Sequence, residues 1–589
     1  MHHAELPVTR TILRFIGLTF ALLVIGTTVS ATNVPSDDEI KTILRNFIER
    51  DHWGVGMVVG IVDEHGTRVI SYGKLDNGDS TEVNADTLFE IGSITKTFTT
   101  LLQRGEMRLD DPVEKYLPPT VKVPSRDGRK ISLLDLATHS SGLPRDGLKE
   151  WTFTGLYEFL SHCRLRRNPG VKAEYSNIGM CLLGHAIELK AGTNFEALVR
   201  QRICGPLDMD STCIKPTPEL RPRWAKSHGQ ENRVVWDMDA FYSGLGGSGA
   251  LRSSVNDMLK YAAAEIGLTN SSLTPLMERT HVVRFPRAFE TFGRADLAMP
   301  WWIYHWDGAD LITHGGTTSG HKAFLGFDKK LKRGVVVLAN RSDPLQQAVE
   351  PLGMYLLHPP ASQPVPAKVT TNVLDSYEGL YVFPDAPEVV MSIRRDGDRL
   401  LTQLLNGVGG DWVALSDTVF FDPWFEARMT FTRKGRDGMA VLFSPKPGRE
   451  MQTWRARRVS NHVPDSLFQP MLQPLSTNEF APRKDSDLQG TWKGTIRPWY
   501  WPFVSRHGTL SIAERSPGNF SAELNLPAER VEKLPIAVIY HPPGIELVNK
   551  SGDGMFKGKI NADHTKMMGR IIQGSHSIGV TLRRVGANE

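Results

Sequence analysis

The first apolar feature of the chain is the run 15–26, preceded by Arg10 and Arg14 and followed by the small residues Val29-Ser30-Ala31. A basic start, a short apolar stretch and a small-residue exit form an export signal, here a signal peptide over 1–31 cleaved after Ala31. The alternative is an uncleaved anchor, but the run is short for a spanning helix and no later segment is long and apolar enough. From residue 36 to about 358 the apolar spacing switches between strand and helix periods. Residues 55–61 and 67–73 read as two strands joined at Glu64-His65-Gly66, a hairpin signal. Helices are predicted from Ser93, from Leu133 and over 175–189. Residues 324–327 and 335–338 read as late strands around the polar turn Asp328-Lys329-Lys330. Strands at both ends with helices between them predict an α+β domain whose sheet joins its two termini.

After a proline-rich linker over 359–369 the periodicity changes. Short β-like runs alternate with turns such as Arg395-Asp396-Gly397 and Lys434-Gly435-Arg436-Asp437-Gly438, which predicts an all-β module over 370–460. A second linker, 461–484, leads into another β unit over 485–589. The two units begin alike, Tyr377-Glu378-Gly379-Leu380-Tyr381 against Leu488-Gln489-Gly490-Thr491-Trp492, which hints at related small barrels.

A chain of 589 residues is too long for one core, so several domains are expected. Hydrophobic content of 40% and charged content of 23% are ordinary for a globular protein. The net charge of +4 comes from no long Lys/Arg block, so it supports no nucleic-acid partner. In an oxidising compartment the four cysteines, Cys163, Cys181, Cys204 and Cys213, could pair, and Cys204 with Cys213 across a short loop is the best candidate. No Cys/His spacing fits zinc and no Gly-rich loop fits a phosphate, so neither a metal nor a cofactor is expected.

Candidate chemistry starts at Phe89-Glu90-Ile91-Gly92-Ser93-Ile94-Thr95-Lys96. In a helix, positions i and i+3 share a face, so the Lys96 amine can stand over the Ser93 hydroxyl. A serine becomes a nucleophile only when something takes its proton, and a lysine amine can do so once burial or a neighbouring cation favours its neutral form. Roughly one to three Ser-x-x-Lys matches are expected by chance in a chain this long, so partners decide. Tyr175-Ser176-Asn177 offers a phenol and an amide at a helix entry, where Ser176 or Asn177 could equally be a plain helix cap. His314-Gly315-Gly316-Thr317 follows the strand-like Asp310-Leu311-Ile312-Thr313. Its glycines would let a substrate backbone approach a strand edge, and an N–H beyond them could face a developing oxyanion. The bland alternative is a Gly-rich turn beside an incidental histidine.

In this order the three elements resemble the serine β-lactamase and penicillin-binding-protein superfamily. The likeness is to its class C β-lactamase-like branch, which includes AmpH-type D-alanyl-D-alanine carboxypeptidase/endopeptidases and related esterases. Leu136-Ala137-Thr138-His139-Ser140-Ser141-Gly142-Leu143-Pro144, Gly205-Pro206-Leu207-Asp208-Met209 and Gly246-Gly247-Ser248-Gly249-Ala250-Leu251 are similar to further segments of that branch. The resemblance covers about residues 40–345. It implies an α+β, β-lactamase/transpeptidase-like domain over 36–358, an antiparallel sheet with a helical region, followed by two small all-β, lipocalin-like domains. It implies Ser93 as the acylated nucleophile, Lys96 as the adjacent proton acceptor and Tyr175 as base or acid on the serine's other side. It further implies an oxyanion hole from the N–H groups of Ser93 and Thr317, with Asn177, His314, Gly315 and Gly316 binding substrate.

Two departures from the family stand out. His314 replaces a lysine, and a neutral imidazole would hold a substrate carboxylate less firmly, under control of pH. The helix after Lys96 is shorter than in relatives by about one turn, ~3.6 residues, which would shift its apolar face. The expected activity is a periplasmic or secreted serine hydrolase acting on a small molecule or peptide, peptidoglycan included, or on a β-lactam. The alternatives are an esterase on short acyl esters, a true β-lactamase, and a non-catalytic binding protein. Trp301, Trp302 and Trp306 read as aromatic core rather than cleft lining. Oligomeric state is unreadable.

Overall fold

A computed structural model describes residues 34–585. It omits 51–53, 103–105, 149, 166, 230–244, 290–294, 307, 343–348 and 360–363, together with 464–487, 497–505 and several further stretches of the C-terminal half. The signal segment, the Lys434–Gly438 turn and most of the second linker thus lie outside the described residues.

The region before the proline-rich linker is built on one antiparallel sheet of eight strands among the described residues. Its members are β1 (Gly56–Asp63), β2 (Gly66–Gly73), β5 (Phe285–Phe289), β6 (Ala295–Leu297), β7 (Trp302–Trp306), β8 (Ala309–Thr317), β9 (Lys322–Asp328) and β10 (Arg333–Ala339). Their order is β2-β1-β10-β9-β8-β7-β6-β5, so the expected hairpin β1–β2 pairs with the last strand β10 and closes the two ends of the domain together. Two short strands, β3 (Phe89–Glu90) and β4 (Arg252–Ser253), pair apart from it.

The continuous apolar runs of β1 and β10 follow from burial on both faces. Side chains alternate across a strand. Met57, Val59 and Ile61, with Val335, Val337 and Ala339, face Ile40 and Leu44 of α1 (Asp37–Arg45) and Leu352 and Leu356 of α9 (Val349–Leu357). Val58, Val62, Val336 and Leu338 join the other, larger core, which includes Met258 and Leu259 of α7 (Val255–Glu265). Helices α2 (Thr95–Leu101), α3 (Leu133–Ala137), α4 (Phe153–His162), α5 (Asn177–Ala191), α6 (Phe195–Val199) and α8 (Thr274–Thr280) occupy the stretch between the two ends. Ser132 and Asp135 form a capping box at the start of α3. Trp301 is fully buried in the larger core and Trp306 packs against the smaller one, in keeping with the core reading.

The proposed Cys204–Cys213 disulfide is not formed. Cys204 is buried at the end of a helical segment, while Cys213 is tied through its backbone to Arg252. Burial pushes the two thiols up to about 12 and about 11, so both behave as small apolar groups.

Each β unit is a closed eight-stranded barrel with its own core. The strands run from Gly379–Phe383 to Trp454–Ser460 in the first and from Gly490–Ile496 to His576–Arg584 in the second. The likeness of their opening sequences has a structural counterpart. Tyr381 Oη donates to Tyr377 O at 2.8 Å, and Trp492 Nε1 donates to Leu488 O at 3.2 Å, four residues back in both. An arginine on each closing strand then bonds the entry backbone: Arg458 to Ser376 O at 2.6 Å, and Arg584 to Gln489 O.

Candidate active site

Two glycines bring the site together. Gly92, at φ +49°, lies just before Ser93, where a side chain would meet the Thr317 amide nitrogen at 2.7 Å. A side chain on Gly316 would collide with the carbonyl of Ile91. Strand β8 can therefore lie against the turn that carries Ser93 only because both positions lack a Cβ. Strand β7 pairs with β8 from Ala309 to Thr313. Beyond Thr313 no strand pairs with β8 on that side among the described residues, which leaves 314–317 as an open edge.

Ser93 occupies a tight turn, Gly92–Ile94, and Lys96 the first turn of α2. Ser93 is partly exposed, whereas Lys96 is fully buried. Lys96 Nζ lies 2.9 Å from Ser93 Oγ and 2.5 Å from the carbonyl of Ser248. That carbonyl belongs to the turn Gly246–Ser248, which Thr99 Oγ1 grips at Gly247 O, 2.6 Å away. Short as it is, α2 is buried from Thr95 to Leu101 and keeps its lysine on the serine.

Tyr175 stands just ahead of α5. Ser176 is the N-cap of that helix, its Oγ accepting from Gly179 N at 2.9 Å and donating to Pro144 O at 2.7 Å. Capping thus accounts for Ser176 and leaves the phenol of Tyr175 free to face the site. The Tyr175 ring has Lys96 Nζ 4.9 Å from its centroid, Arg145 Cζ also at 4.9 Å, and the His139 ring at 4.3 Å. Asn177 opens α5, with its N–H on Arg145 O at 2.9 Å and its Nδ2 on Asp146 Oδ1 at 2.8 Å.

Two buried imidazoles flank these groups, and both are neutral. His139, at φ +55°, accepts the Ser176 N–H on Nδ1 at 3.2 Å, so its proton resides on Nε2. Burial first, then the charges of Lys96 and its neighbours, hold it well below the usual imidazole range. His314 has the opposite tautomer, since its Nδ1 faces Gly315 O at 2.8 Å and must donate to it. Burial, followed by the charge of Lys96, lowers it to about 3. The expectation of a pH-controlled His314 is therefore corrected, because an imidazole this buried stays uncharged across the physiological range. Gly315 can contribute to the strand edge through its backbone alone. A side chain there would run into the carboxylate of Glu350 on α9, so that face of β8 points away from Ser93.

The structure thus gathers Ser93, Lys96, Tyr175, Asn177, His314, Gly316 and Thr317 around one open strand edge. A hydroxyl beside an amine and a phenol, with backbone N–H groups opposite, is the set of parts that acyl transfer requires. Sequence reasoning assigned no part to His139, Arg145 or the Ser248 carbonyl. His139 and Ser248 fall within segments already noted, but a backbone carbonyl leaves no mark in residue identity. Arg145 directly follows one of those segments, and only its spatial closeness to Tyr175 singles it out.

The beta-lactamase family profile matches residues 41–353. The D-alanyl-D-alanine-carboxypeptidase/endopeptidase AmpH of Escherichia coli (strain K12) is 28% identical over 270 residues, 42% of this chain and 69% of that protein. A beta-lactamase of the same strain is 25% identical over 334 residues, 49% of this chain and 85% of its own length. Among solved structures, the octameric penicillin-binding protein homologue from Pyrococcus abyssi aligns with a TM-score of 0.51 at 23% identity, covering 71% of this chain and 99% of that one. That last likeness is one of fold.

Proposed function

Since the chain belongs to the beta-lactamase family and is a serine hydrolase of that superfamily, we propose that it is exported and forms an acyl-enzyme on Ser93. Its substrates in this reading are D-amino-acid peptides of the peptidoglycan type, or β-lactams. Family membership removes the non-catalytic binding protein from the alternatives. The observation that carries the reading is the Lys96 amine held 2.9 Å from Ser93 Oγ beneath the Tyr175 ring. Export rests on the signal segment, and no helix among the described residues is long and apolar enough to cross a membrane.

In the proposed reaction Lys96 takes part as a neutral amine: Ser93 Oγ attacks the scissile carbonyl, its proton passes to Lys96 Nζ, and that proton returns to Ser93 Oγ when the acyl group leaves. The N–H groups of Ser93 and Thr317 stabilise the negative charge on the carbonyl oxygen, a contribution worth about 3–4 kcal/mol per donor in comparable sites. Tyr175 protonates the leaving nitrogen and later activates the water that releases the acyl group. Asn177 hydrogen-bonds the substrate amide, and His314 and Gly316 line the strand edge along which the substrate backbone lies. No step calls for a metal or an organic cofactor.

The test is mass spectrometry after incubation with a labelled penicillin or a fluorophosphonate. A single adduct on Ser93, absent in Ser93→Ala, is the expected result. Folded protein that takes up neither probe sinks the reading. The same chemistry serves short acyl esters, so p-nitrophenyl ester turnover without cleavage of a D-Ala-D-Ala peptide would favour the esterase. Fast nitrocefin turnover would favour a β-lactamase.

A further inference from the structure

We infer that Arg145 recognises the free α-carboxylate of the substrate's leaving residue, and so directs the enzyme toward peptides with an ionised C-terminus. The inference rests on the acyl-transfer reading of Ser93 and Tyr175. A carboxylate leaving water for a protein cleft needs a cation or several donors to receive it. Two of the basic groups around the cleft cannot serve. Lys96 is fully buried, with its amine on Ser93 Oγ and the Ser248 carbonyl. His314 is nearly as buried and gives its Nδ1 proton to Gly315 O. Arg145 differs from both: its side chain is 45% exposed and its guanidinium carbon lies 4.9 Å from the centre of the Tyr175 ring.

The covalent geometry of an amino acid links that position to the leaving group. If the Tyr175 hydroxyl protonates the scissile nitrogen, that nitrogen lies within hydrogen-bond reach of the ring. The carboxylate carbon is then two bonds away, about 2.5 Å from the nitrogen. A guanidinium beside the same ring is placed to receive it, and its planar fork matches both oxygens. The backbone beneath Arg145 is fixed, because its carbonyl accepts the N–H of Asn177 at 2.9 Å, at the entry of the helix that Tyr175 precedes. Asp146 Oδ2 stands 3.5 Å from Arg145 Nε, and the other oxygen of that carboxylate holds Asn177 Nδ2. Asp146 therefore orients the arginine and the asparagine as one unit, while 45% of the arginine side chain stays exposed.

The experiment compares kcat/KM for an acyl-D-Ala-D-Ala peptide and for its C-terminal amide, in wild type, Arg145→Gln and Arg145→Lys. The wild type is expected to prefer the acid. In Arg145→Gln that acid-to-amide ratio should fall by about 10–100-fold, mostly through KM, which is the usual range for losing one charge-assisted contact. Arg145→Lys should recover part of it, since charge returns without the fork. An unchanged ratio in Arg145→Gln, or no acid preference in the wild type, overturns the inference. If the wild type cleaves p-nitrophenyl acetate but neither peptide, the peptidase reading fails on its own. The role of Arg145 is then read from the rates at which benzylpenicillin and its methyl ester acylate Ser93, where an equal effect of Arg145→Gln on both overturns it. Absence of acylation by any probe on folded protein removes both proposals.

Discussion

His314 is neutral first because burial disfavours the imidazolium, and second because Lys96 lies close by. That placement has a cost in acid. In the unfolded chain an imidazole takes up its proton near pH 6.5, whereas in the folded protein His314 waits until about 3 and His139 is also well below the ordinary value. Between those limits the unfolded state binds more protons, so stability falls as pH falls below about 6.5 and is fully present above it. Each imidazole can contribute up to about 1.4 kcal/mol per pH unit. Replacing His314 with asparagine should flatten the acid side of the curve, measured as the urea midpoint from pH 7 down to pH 4. An identical slope in His314→Asn would show that the imidazole titrates freely in the folded state. The sequence made Ser93, Lys96, Tyr175 and His314 visible because chemistry of this kind uses few residue types at fixed spacings. It could not show that His314 is uncharged, since that depends on burial and on the distance to Lys96, neither of which is encoded locally.

The helix that carries Lys96 is a poor helix by itself. α2 has seven residues, and four of them are threonine, whose branched side chain disfavours the helical state. So short a segment does not hold together alone in water. Its threonine hydroxyls do much of the work of fixing it in place. Thr95 Oγ1 accepts from Leu251 N at 3.2 Å, Thr97 Oγ1 from Tyr261 Oη at 3.2 Å, and Thr99 Oγ1 donates to Gly247 O at 2.6 Å. Thr100 Oγ1 lies 3.2 Å from Met299 O. Because Gly247 adjoins Ser248, the bond from Thr99 steadies the turn whose next carbonyl holds Lys96. Thr99→Val keeps the shape and removes the hydroxyl, leaving a buried carbonyl unpaired, which should cost about 1–3 kcal/mol. Urea unfolding should show that loss, and fluorophosphonate acylation of Ser93 should slow with it. A destabilised variant that acylates at the wild-type rate would mean that the turn and the lysine are not coupled. Helical periodicity marked this segment from Ser93, yet the helix starts only at Thr95, because the preceding Gly92–Ile94 is drawn into a tight turn by its contact with β8. That contact joins residues more than two hundred positions apart, and periodicity carries no information about it.

At the scale of the whole molecule, the two barrels are expected to unfold as units of their own. A closed barrel leaves no strand edge unpaired and buries its inward face against itself. The core of the first runs from Leu374 through Tyr381 and Phe431 to Ala456, and that of the second from Leu488 through Trp492 and Phe556 to Leu582. Among the described residues, none belongs to both, and neither core draws on the hydrolase region. The paired openings at Tyr377 and Leu488 were legible as a faint repeat. The arginines that close them, Arg458 and Arg584, were not, because each reaches its partner from the far end of its own barrel. Trp492 is the largest fully buried side chain among the described residues of the second barrel, and its Nε1 ties the first strand to Leu488. Truncating a buried tryptophan to alanine costs about 3–5 kcal/mol. In a unit of about 100 residues that lowers the midpoint by about 12 °C or more. Calorimetry of Trp492→Ala should therefore show one transition moving down by that amount, with the others in place and with penicillin acylation of Ser93 intact at temperatures below it. If every transition moves together, the barrels and the hydrolase region share stability across interfaces, and the chain unfolds as one cooperative body.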